Sequence, residues 1–233
     1  MASRAFAPRL VPTLVALPLG ALLAWLGHWQ MQRADETRAR ETAFAASDAP
    51  PVPLPPAGTA RRYLHVRLSG LYLTDRQFLL DNMTANGRVG YRVLTPFVTD
   101  SGTVVLIDRG WVSIGAGRET LPEIGVGGEP RIVTGRIDAL PRAGIEPPPG
   151  TGSGWPRVLN YPAPATLAAA LERPLYPELV LLDPGLADGY LRDWQPRGVS
   201  VERHLAYAAQ WYGLAATLLV LYLVASFRRR AAA

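Results

Sequence analysis

The stretch RHLAYAAQWYGLAATLLVLYLVASFRRR, residues 203–230, decides how this chain is organised. Residues 205–227 carry no charge, and three arginines follow them directly. A helix of this length, at about 1.5 Å per residue, exceeds the roughly 30 Å thickness of a bilayer's hydrocarbon core. The stretch therefore predicts a transmembrane helix over residues 205–227. Its first turns nevertheless carry polar or amphipathic side chains that a plain anchor does not need: His204, Tyr207, Gln210 and Trp211.

The N-terminal end contains a second uncharged run, LVPTLVALPLGALLAWLGHW, over residues 10–29. It is long enough for a transmembrane helix, and proline is tolerated in such helices. A cleaved signal peptide is the alternative, because Arg4 and Arg9 precede the run. The run itself ends in Trp25, His28 and Trp29, and the only stretch that fits a cleavage pattern of small residues, 43–45, lies beyond charged residues. We expect an uncleaved first span.

The arginines at residues 228–230 predict the orientation of both spans. Arginine next to a span favours the cytoplasmic side, so the C-terminus is expected there. Two spans then place the N-terminus in the cytoplasm as well and residues 31–202 outside it. The predicted setting is a bacterial inner (plasma) membrane, with a periplasmic central domain.

The central part of the chain predicts a linker at 30–60, proline-rich at 49–58, and then a β-rich domain at 61–202. Apolar and polar residues alternate over residues 63–73, as in a half-buried strand. Further strands are predicted at 77–82, 90–98, 103–108, 131–138 and 178–183, a helix at 162–171, and a loop at 141–156. The predicted fold is α+β: two transmembrane helices flanking one extracytoplasmic domain, an antiparallel twisted sheet or partial barrel.

Composition excludes several kinds of chemistry. There is no cysteine, hence no disulfide, thiol nucleophile or covalently attached haem. Of the three histidines, His65 falls on the polar face of its strand and is expected to be a solvated surface residue. Carboxylates are scattered, and no nucleotide-binding glycine motif is present. The net charge of +5 comes from arginines spread among acids, prolines and apolar runs, which disfavours nucleic acid as a partner. We expect no enzymatic activity.

Four motifs in order, between and within the two spans, carry a family resemblance. Residues 26–33 (LGHWQMQR) resemble LGxWQxxR, 90–97 (GYRVLTPF) resemble GYxVLTPF, 105–112 (VLIDRGWV) resemble VLVNRGWV, and 203–211 (RHLAYAAQW) resemble HLxYAxQW. Together they resemble the surfeit locus protein 1 family of cytochrome c oxidase assembly factors, bacterial type. Asp108 stands where asparagine is usual in that family, and residues 121–198 are less similar.

The resemblance implies a function in biogenesis of the haem-a-containing catalytic subunit of cytochrome c oxidase. Bacterial members are thought to bind haem a, so haem a is the expected, transiently held cofactor. The implied partners are the oxidase catalytic subunit, membrane lipid and, as a further candidate, haem a synthase. The alternative function is a haem-independent membrane scaffold that stabilises an oxidase assembly intermediate.

His204 is the candidate ligand of the haem iron, at the outer end of the second span. It shares one helical stripe with Tyr207 and Trp211, whose rings could contact a macrocycle, and with small residues such as Ala208 that leave room for it. Arg203 and Arg33 are candidate partners of the propionates. Three supporting residues complete the predicted site: Gln210, beside the stripe, and Trp29 and Gln30 of the first motif.

Ordinary interfacial or structural functions remain alternative interpretations for these residues. Tyrosine, tryptophan and a histidine at a helix mouth are common at membrane interfaces, and Arg33 could snorkel beside Trp29. His28, at the same predicted depth on the first span, is a candidate second iron ligand. The domain motif residues are expected to have structural functions in the sheet: Tyr91, Arg109, Gly110 and Trp111.

Overall fold

The computed structural model describes residues 4–46, 49–115, 117–118, 120–141, 154–196 and 198–229. The chain divides into two compact units, one formed by Met1–Ala43 with Pro196–Ala233 and the other by Phe44–Gln195. Most of the predicted loop at 141–156 and the last arginine of the 228–230 cluster lie outside the described residues.

The first unit is a pair of long helices. A short strand β1 (Arg4–Phe6) precedes helix α1 (Leu10–Ala45), and helix α3 (Val201–Ser226) is followed by β10 (Phe227–Arg229). β1 and β10 pair antiparallel, with Phe6 opposite Phe227. Both helices are long and apolar enough to cross a membrane. The two candidate membrane helices predicted from hydropathy are therefore present, one near each end of the chain.

Helix α1 continues well past the predicted span and into the segment predicted as a linker, residues 30–60. It ends only at Ala45, because residues 30–45 contain good helix formers and neither proline nor glycine. Hydropathy detects where the apolar run stops, but a charged helix can follow it without a break. Exposed pairs three residues apart accompany the extension: Arg33 with Glu36 at 2.8 Å and Arg38 with Asp35 at 2.9 Å.

The second unit is a β-rich domain built on an eight-stranded sheet. Its strands are β2 (Val52–Pro53), β3 (His65–Tyr72), β4 (Phe78–Ala85), β5 (Arg88–Thr99), β6 (Val104–Ser113), β7 (Arg131–Asp138), β8 (Arg157–Leu159) and β9 (Leu175–Leu182). Helix α2 (Pro164–Leu171) precedes β9. The predicted strands and the predicted helix are confirmed, whereas the short β2 and β8, next to prolines, were not predicted.

The sheet closes on itself within the described part of the chain. The strand order is β2-β3-β7-β9-β6-β5-β4-β8, and β3 also pairs with β5, which joins five strands into a barrel. The prediction of a partial barrel is thus confirmed. Not every pair is antiparallel, because β2–β3, β4–β8 and β6–β9 run parallel. The parallel pair β6–β9 requires a long crossover, which β7, β8 and α2 supply.

The core lies on both faces of the central strands. Val105 and Ile107 of β6 belong to one buried cluster with strands β3, β5, β7 and β9, whereas Val104 and Leu106 belong to a second. Leu167 and Leu171 of α2 cover this second cluster. Burial on both faces explains why β6 begins with a continuous apolar run instead of an alternating one.

His65 differs from its prediction as a solvated surface residue. Its Nε2 lies 2.8 Å from Oδ2 of Asp183 and its Nδ1 lies 2.8 Å from the carbonyl oxygen of Ala49. Its side chain is only 16% exposed. Strand alternation placed His65 correctly on the polar face, but the segment around residue 49 covers that face, which alternation cannot reveal.

Barrel closure predicts a strong effect of substituting Gly70. A Cβ atom there would collide with the backbone carbonyl oxygen of Val98, on the strand that β3 meets to close the barrel. We expect Gly70→Ala to destabilise the domain by at least about 2 kcal/mol, because either strand must shift. The measurement is the denaturant midpoint of the full chain in detergent, followed by the β signal in circular dichroism.

The matched control is Gly185→Ala, because a Cβ atom at Gly185 has open space around it. Its denaturant midpoint is expected to stay close to that of the parent protein. Equal midpoints for the two variants would contradict the close approach of β3 and β5.

Candidate functional site

The predicted ligand His204 is held by a hydrogen bond from one long helix to the other. Nδ1 of His204 lies 2.7 Å from Oε1 of Gln30, a residue 174 positions earlier in the chain. Gln30 itself is buried, with 9% of its surface exposed. An amide oxygen only accepts hydrogen bonds, so Nδ1 is the donor. A neutral imidazole in this arrangement therefore keeps its lone pair on Nε2, the atom that would meet a metal.

Small residues let the two helices approach each other around this hydrogen bond. The buried residues of α1 are Gly27, Gln30, Ala34 and Thr37, which recur every three to four positions on one face. A Cβ atom at Gly27 would lie 2.8 Å from Cε1 of Tyr212 on α3, so glycine leaves the place that the tyrosine ring occupies. Such small-residue contacts are typical of helix pairs in membranes.

Ala208 corrects one part of the predicted site. The sequence suggested that small residues along the His204 stripe leave room for a flat group. Instead Ala208 is 1% exposed within the helical unit. Its small side chain serves the close packing of the helices, so it does not line an open space.

The aromatic neighbours of His204 remain accessible. Tyr207 is 45% exposed and Trp211 is partly buried, and both lie within about 60° of His204 around the helix axis. Gln210 and Arg203 are exposed. The structure therefore places one imidazole and two aromatic rings on adjoining parts of α3, at the edge of the face that meets α1.

The predicted residues of α1 divide between two faces. The guanidinium carbon of Arg33 lies 5.6 Å from the centroid of the Trp29 ring. Arg33 also forms an ion pair with Glu36. Nε2 of His28 lies 3.2 Å from Nε2 of Gln32. His28 precedes Gln30 by two residues, which corresponds to about 200° around the axis of α1. The structure thus brings Gln30 to His204 and turns the second candidate ligand, His28, to the opposite side of α1.

Sequence reasoning missed the polar contacts that join the helices at their other end. Oγ1 of Thr13 and the hydroxyl of Tyr222 are 2.8 Å apart. Neither residue nor Tyr212 was a candidate, although Gly27, inside a family motif, was a signal of close helix packing. Hydrogen bonds between spans are a general source of helix association in lipid.

In the β domain, the motif residue Arg109 is a buried centre of hydrogen bonding. It is 2% exposed, and its guanidinium donates to side-chain oxygens of Gln77 and Thr95 and to carbonyl oxygens of Ile124, Gly125 and Asp188. A planar guanidinium with five donors suits this enclosure by several acceptors. Arg109 thereby ties two loops of the less similar region, residues 121–198, to the barrel.

The remaining motif residues are also buried or hydrogen-bonded within the domain. Tyr91 is 1% exposed, Gly110 donates its N–H to Asp108 Oδ1 at 3.1 Å, and Trp111 donates Nε1–H to the carbonyl oxygen of Met83 at 2.8 Å. Each contact lies inside the domain. In the described residues, no group of three or more His, Asp or Glu could hold a metal ion.

Asp108, which departs from the usual asparagine, is fully buried and paired. Arg92 donates to both its carboxylate oxygens, at 2.5 and 2.9 Å to Oδ2 and 3.0 Å to Oδ1. The same guanidinium lies 4.3 Å from the ring centroid of Trp194. The carboxylate gives the largely enclosed guanidinium of Arg92 a partner of opposite charge, which offsets the cost of removing that charge from water.

Tyr72, whose ring lies 5.8 Å from the guanidinium carbon of Arg109, has an unusual environment. Its hydroxyl is buried and has no hydrogen-bond partner among the described residues. Burial, and secondarily the negative charge of Asp188, raise the pKa of Tyr72 well above its ordinary value, although nearby arginines oppose this. The folded domain therefore favours the neutral form of the Tyr72 side chain over its phenolate more strongly than the unfolded chain does.

This raised pKa predicts that the domain is sensitive to alkali. The contribution to stability is fully present below pH 10, near the pKa of tyrosine in an unfolded chain, and is lost as the pH rises above that value. Tyr72→Phe removes the ionisable group but keeps the ring. Between pH 8 and pH 11, the free energy of unfolding of the variant is expected to fall by about 1.4 kcal/mol less than that of the parent. Chemical unfolding at the two pH values measures this difference.

Tyr161→Phe is the control, because it also removes one phenol hydroxyl, from a partly buried residue, and leaves Tyr72 unchanged. Identical loss of stability in parent and Tyr72→Phe protein over this pH interval would contradict the assigned cause.

These observations define a class of protein: two candidate membrane helices, hydrogen-bonded to each other, with a closed β barrel between them in the chain. Residues 17–216 match the model of the SURF1 family. The chain therefore belongs to the SURF1 family.

Individual relatives are 30–32% identical to this chain over aligned stretches of 103–118 residues. The cytochrome oxidase assembly protein SHY1 of Saccharomyces cerevisiae is 32% identical over 118 residues, 47% of this chain and 30% of its own length. An uncharacterized SURF1-like protein of Mycobacterium bovis is 32% identical over 105 residues, 42% of this chain and 39% of its own. A SURF1-like protein of Rickettsia felis is 30% identical over 103 residues, which are 43% of this chain and 46% of its own length. The matched stretches thus span less than half of each relative.

Proposed function

We propose that this protein is a membrane-anchored assembly factor for a haem-a-containing cytochrome oxidase and holds haem a through His204. Two findings support an assembly function: membership of the SURF1 family and similarity to a yeast protein named for cytochrome oxidase assembly. The observation that carries the haem proposal is the hydrogen bond between His204 Nδ1 and Gln30 Oε1.

The residues around His204 fit a haem in chemical terms. Nδ1 is engaged by Gln30, so Nε2 of the neutral ring is the nitrogen left that would bind the haem iron. His204 is partly buried, and exposed Tyr207 and half-buried Trp211 offer ring faces beside it. When bound, haem a would supply the redox-active iron that the oxidase later uses. This chain's residues would only bind, orient and shelter it.

Gln30 is proposed as a positioning residue for this ligand. In metal sites a partner on the second ring nitrogen fixes the tautomer and the orientation of the imidazole, and its loss commonly costs 10- to 100-fold in affinity. A ligand from one helix oriented by the other also makes binding depend on correct pairing of the two helices. A single histidine is a weaker attachment than two, which suits a protein that must release its cargo.

The proposed partners follow from the same function. They are the oxidase catalytic subunit as acceptor, haem a synthase as the candidate donor, and the lipid of a bacterial inner membrane as the surrounding medium. The proposed topology has both termini in the cytoplasm and residues 31–202 on the periplasmic side, in accordance with the arginines that follow α3. The proposed function involves no catalytic step.

A haem-independent scaffold is the second candidate function, and one observation favours it. Ala208 is packed within the helical unit instead of lining free space, so the aromatic stripe offers less room than its composition suggests. In that case the protein would stabilise an oxidase assembly intermediate through protein contacts. Haem content separates the two functions directly.

The test is the haem a absorption spectrum of the full-length protein purified from cells that make haem a. His204→Ala is expected to remove the spectrum, because no axial nitrogen remains. Gln30→Leu, which keeps His204 but loses the acceptor, is expected to weaken haem a binding by about tenfold or more. Gln30→Glu keeps an acceptor oxygen and is expected to restore most of the binding.

His28→Ala is the matched histidine control and should retain the parent spectrum, because His28 lies on the other side of α1. Helix content by circular dichroism and membrane extraction would verify that every variant is folded and inserted. Full haem retention by His204→Ala would eliminate this ligand and favour the scaffold. A Gln30→Leu protein with unchanged affinity would remove Gln30 from the site.

A further inference from the structure

The two helices leave a space between them at the end of the pair opposite His204. A pocket of about 320 Å³ opens there, near the lower limit of the roughly 300–1,000 Å³ typical of small-molecule sites. Its lining comes from both helices and the turn before α1, and it includes Arg9, Pro12, Ala16, Leu218, Leu221 and Ala225.

We infer that this pocket binds one anionic phospholipid of the phosphatidylglycerol type, with an acyl chain between the helices and the phosphate at Arg9. The inference rests on the proposed insertion of α1 and α3 in a membrane. It adds a specific binding site to the general contact with lipid that any span makes.

The shape of the pocket suits a hydrocarbon chain. On α1 its residues are spaced by three and four positions, and on α3 Leu218, Leu221 and Ala225 follow the same spacing. Such spacing places each set along one side of its helix, so the pocket is an apolar groove that runs with the helix axes. Ala16 and Ala225 are small, which leaves the space that a chain would fill.

A polar contact borders the groove. The hydrogen bond between Thr13 and Tyr222, at 2.8 Å, joins the helices beside the pocket, and Tyr222 also lines it. The antiparallel pairing of β1 with β10 holds the same ends of the chain together. The groove is thus fixed by contacts on the protein and does not depend on a ligand to bring the helices together.

Charge complementarity determines which lipid fits. Arg9 is the one charged residue among those that line the groove, it is exposed, and no described residue forms an ion pair with its guanidinium. The sequence adds three arginines at residues 228–230, directly after α3. In the proposed orientation this end faces the cytoplasmic leaflet, where anionic lipids attract basic segments and basic pockets between spans bind anionic head groups.

The groove is separate from the proposed haem site. Leu218 follows His204 by fourteen residues, about 21 Å along the helix, and Ala225 is about 10 Å further. Variants in the groove should therefore leave the His204–Gln30 hydrogen bond and the haem spectrum unchanged. Failure of the haem proposal would likewise leave lipid binding intact, so each can be tested without the other.

The experiment is native mass spectrometry of the delipidated full-length protein, titrated separately with phosphatidylglycerol and phosphatidylcholine in detergent. The parent is expected to bind one phosphatidylglycerol at least about fivefold more tightly than phosphatidylcholine. One arginine near an anionic lipid surface contributes a factor of about five in affinity. Arg9→Gln is expected to lower this preference by about fivefold. Ala225→Leu, which fills the groove, is expected to weaken binding of both lipids.

Matched controls make the same chemical changes outside the groove. Arg38→Gln removes one charge from the other end of α1, and Ala216→Leu enlarges an exposed alanine on α3. Both should bind lipid like the parent protein. Equal affinity of the parent for the two lipids, or phosphatidylglycerol binding that survives both Arg9→Gln and Ala225→Leu unchanged, would overturn the proposal.

Discussion

The hydrogen bond between Gln30 and His204 is the interaction on which the proposed site depends. It connects two helices that lie at opposite ends of the sequence and buries the amide of Gln30 in their contact face. An unpaired amide in that position would cost free energy, so the bond favours one register of the two helices. It also determines which imidazole nitrogen is free. Helix pairing and ligand chemistry are therefore set by the same contact.

The β domain depends on a different internal constraint, the enclosure of Arg109. Its guanidinium is buried among oxygens of Gln77, just before β4, of Thr95 in β5 and of two loops. A substitution that left these acceptors unpaired would destabilise the domain at several places at once. Motif residues in this domain therefore act on its stability, and the accessible chemistry lies on the helical pair. This division explains how the motifs can be widely spaced in sequence while only those of the helices form the candidate site.

Much of the architecture was predictable because it follows from local patterns. Apolar runs marked both long helices, and alternation marked the strand around Val66. The parallel pairing of β6 with β9 was not predictable, because it depends on a long crossover and not on local residues. In the site, helical spacing grouped His204 with its aromatic neighbours, and the helix α3 that this grouping assumes is present. The same spacing could not show that Ala208 packs within the pair or that Gln30 faces His204, since both depend on contacts between segments far apart in sequence.

The central claim is that Gln30 holds His204 with its proton on Nδ1 and its Nε2 lone pair free. Nitrogen-15 magnetic resonance of histidine-labelled protein in bilayers measures this directly, because protonated and unprotonated ring nitrogens resonate far apart. Comparison with His28→Ala and His204→Ala proteins would assign the signals of the three histidines. The account predicts that the neutral form of His204 is protonated at Nδ1, and that Gln30→Leu converts it largely to the Nε2-protonated tautomer. A parent protein whose His204 carries its proton on Nε2 would contradict it.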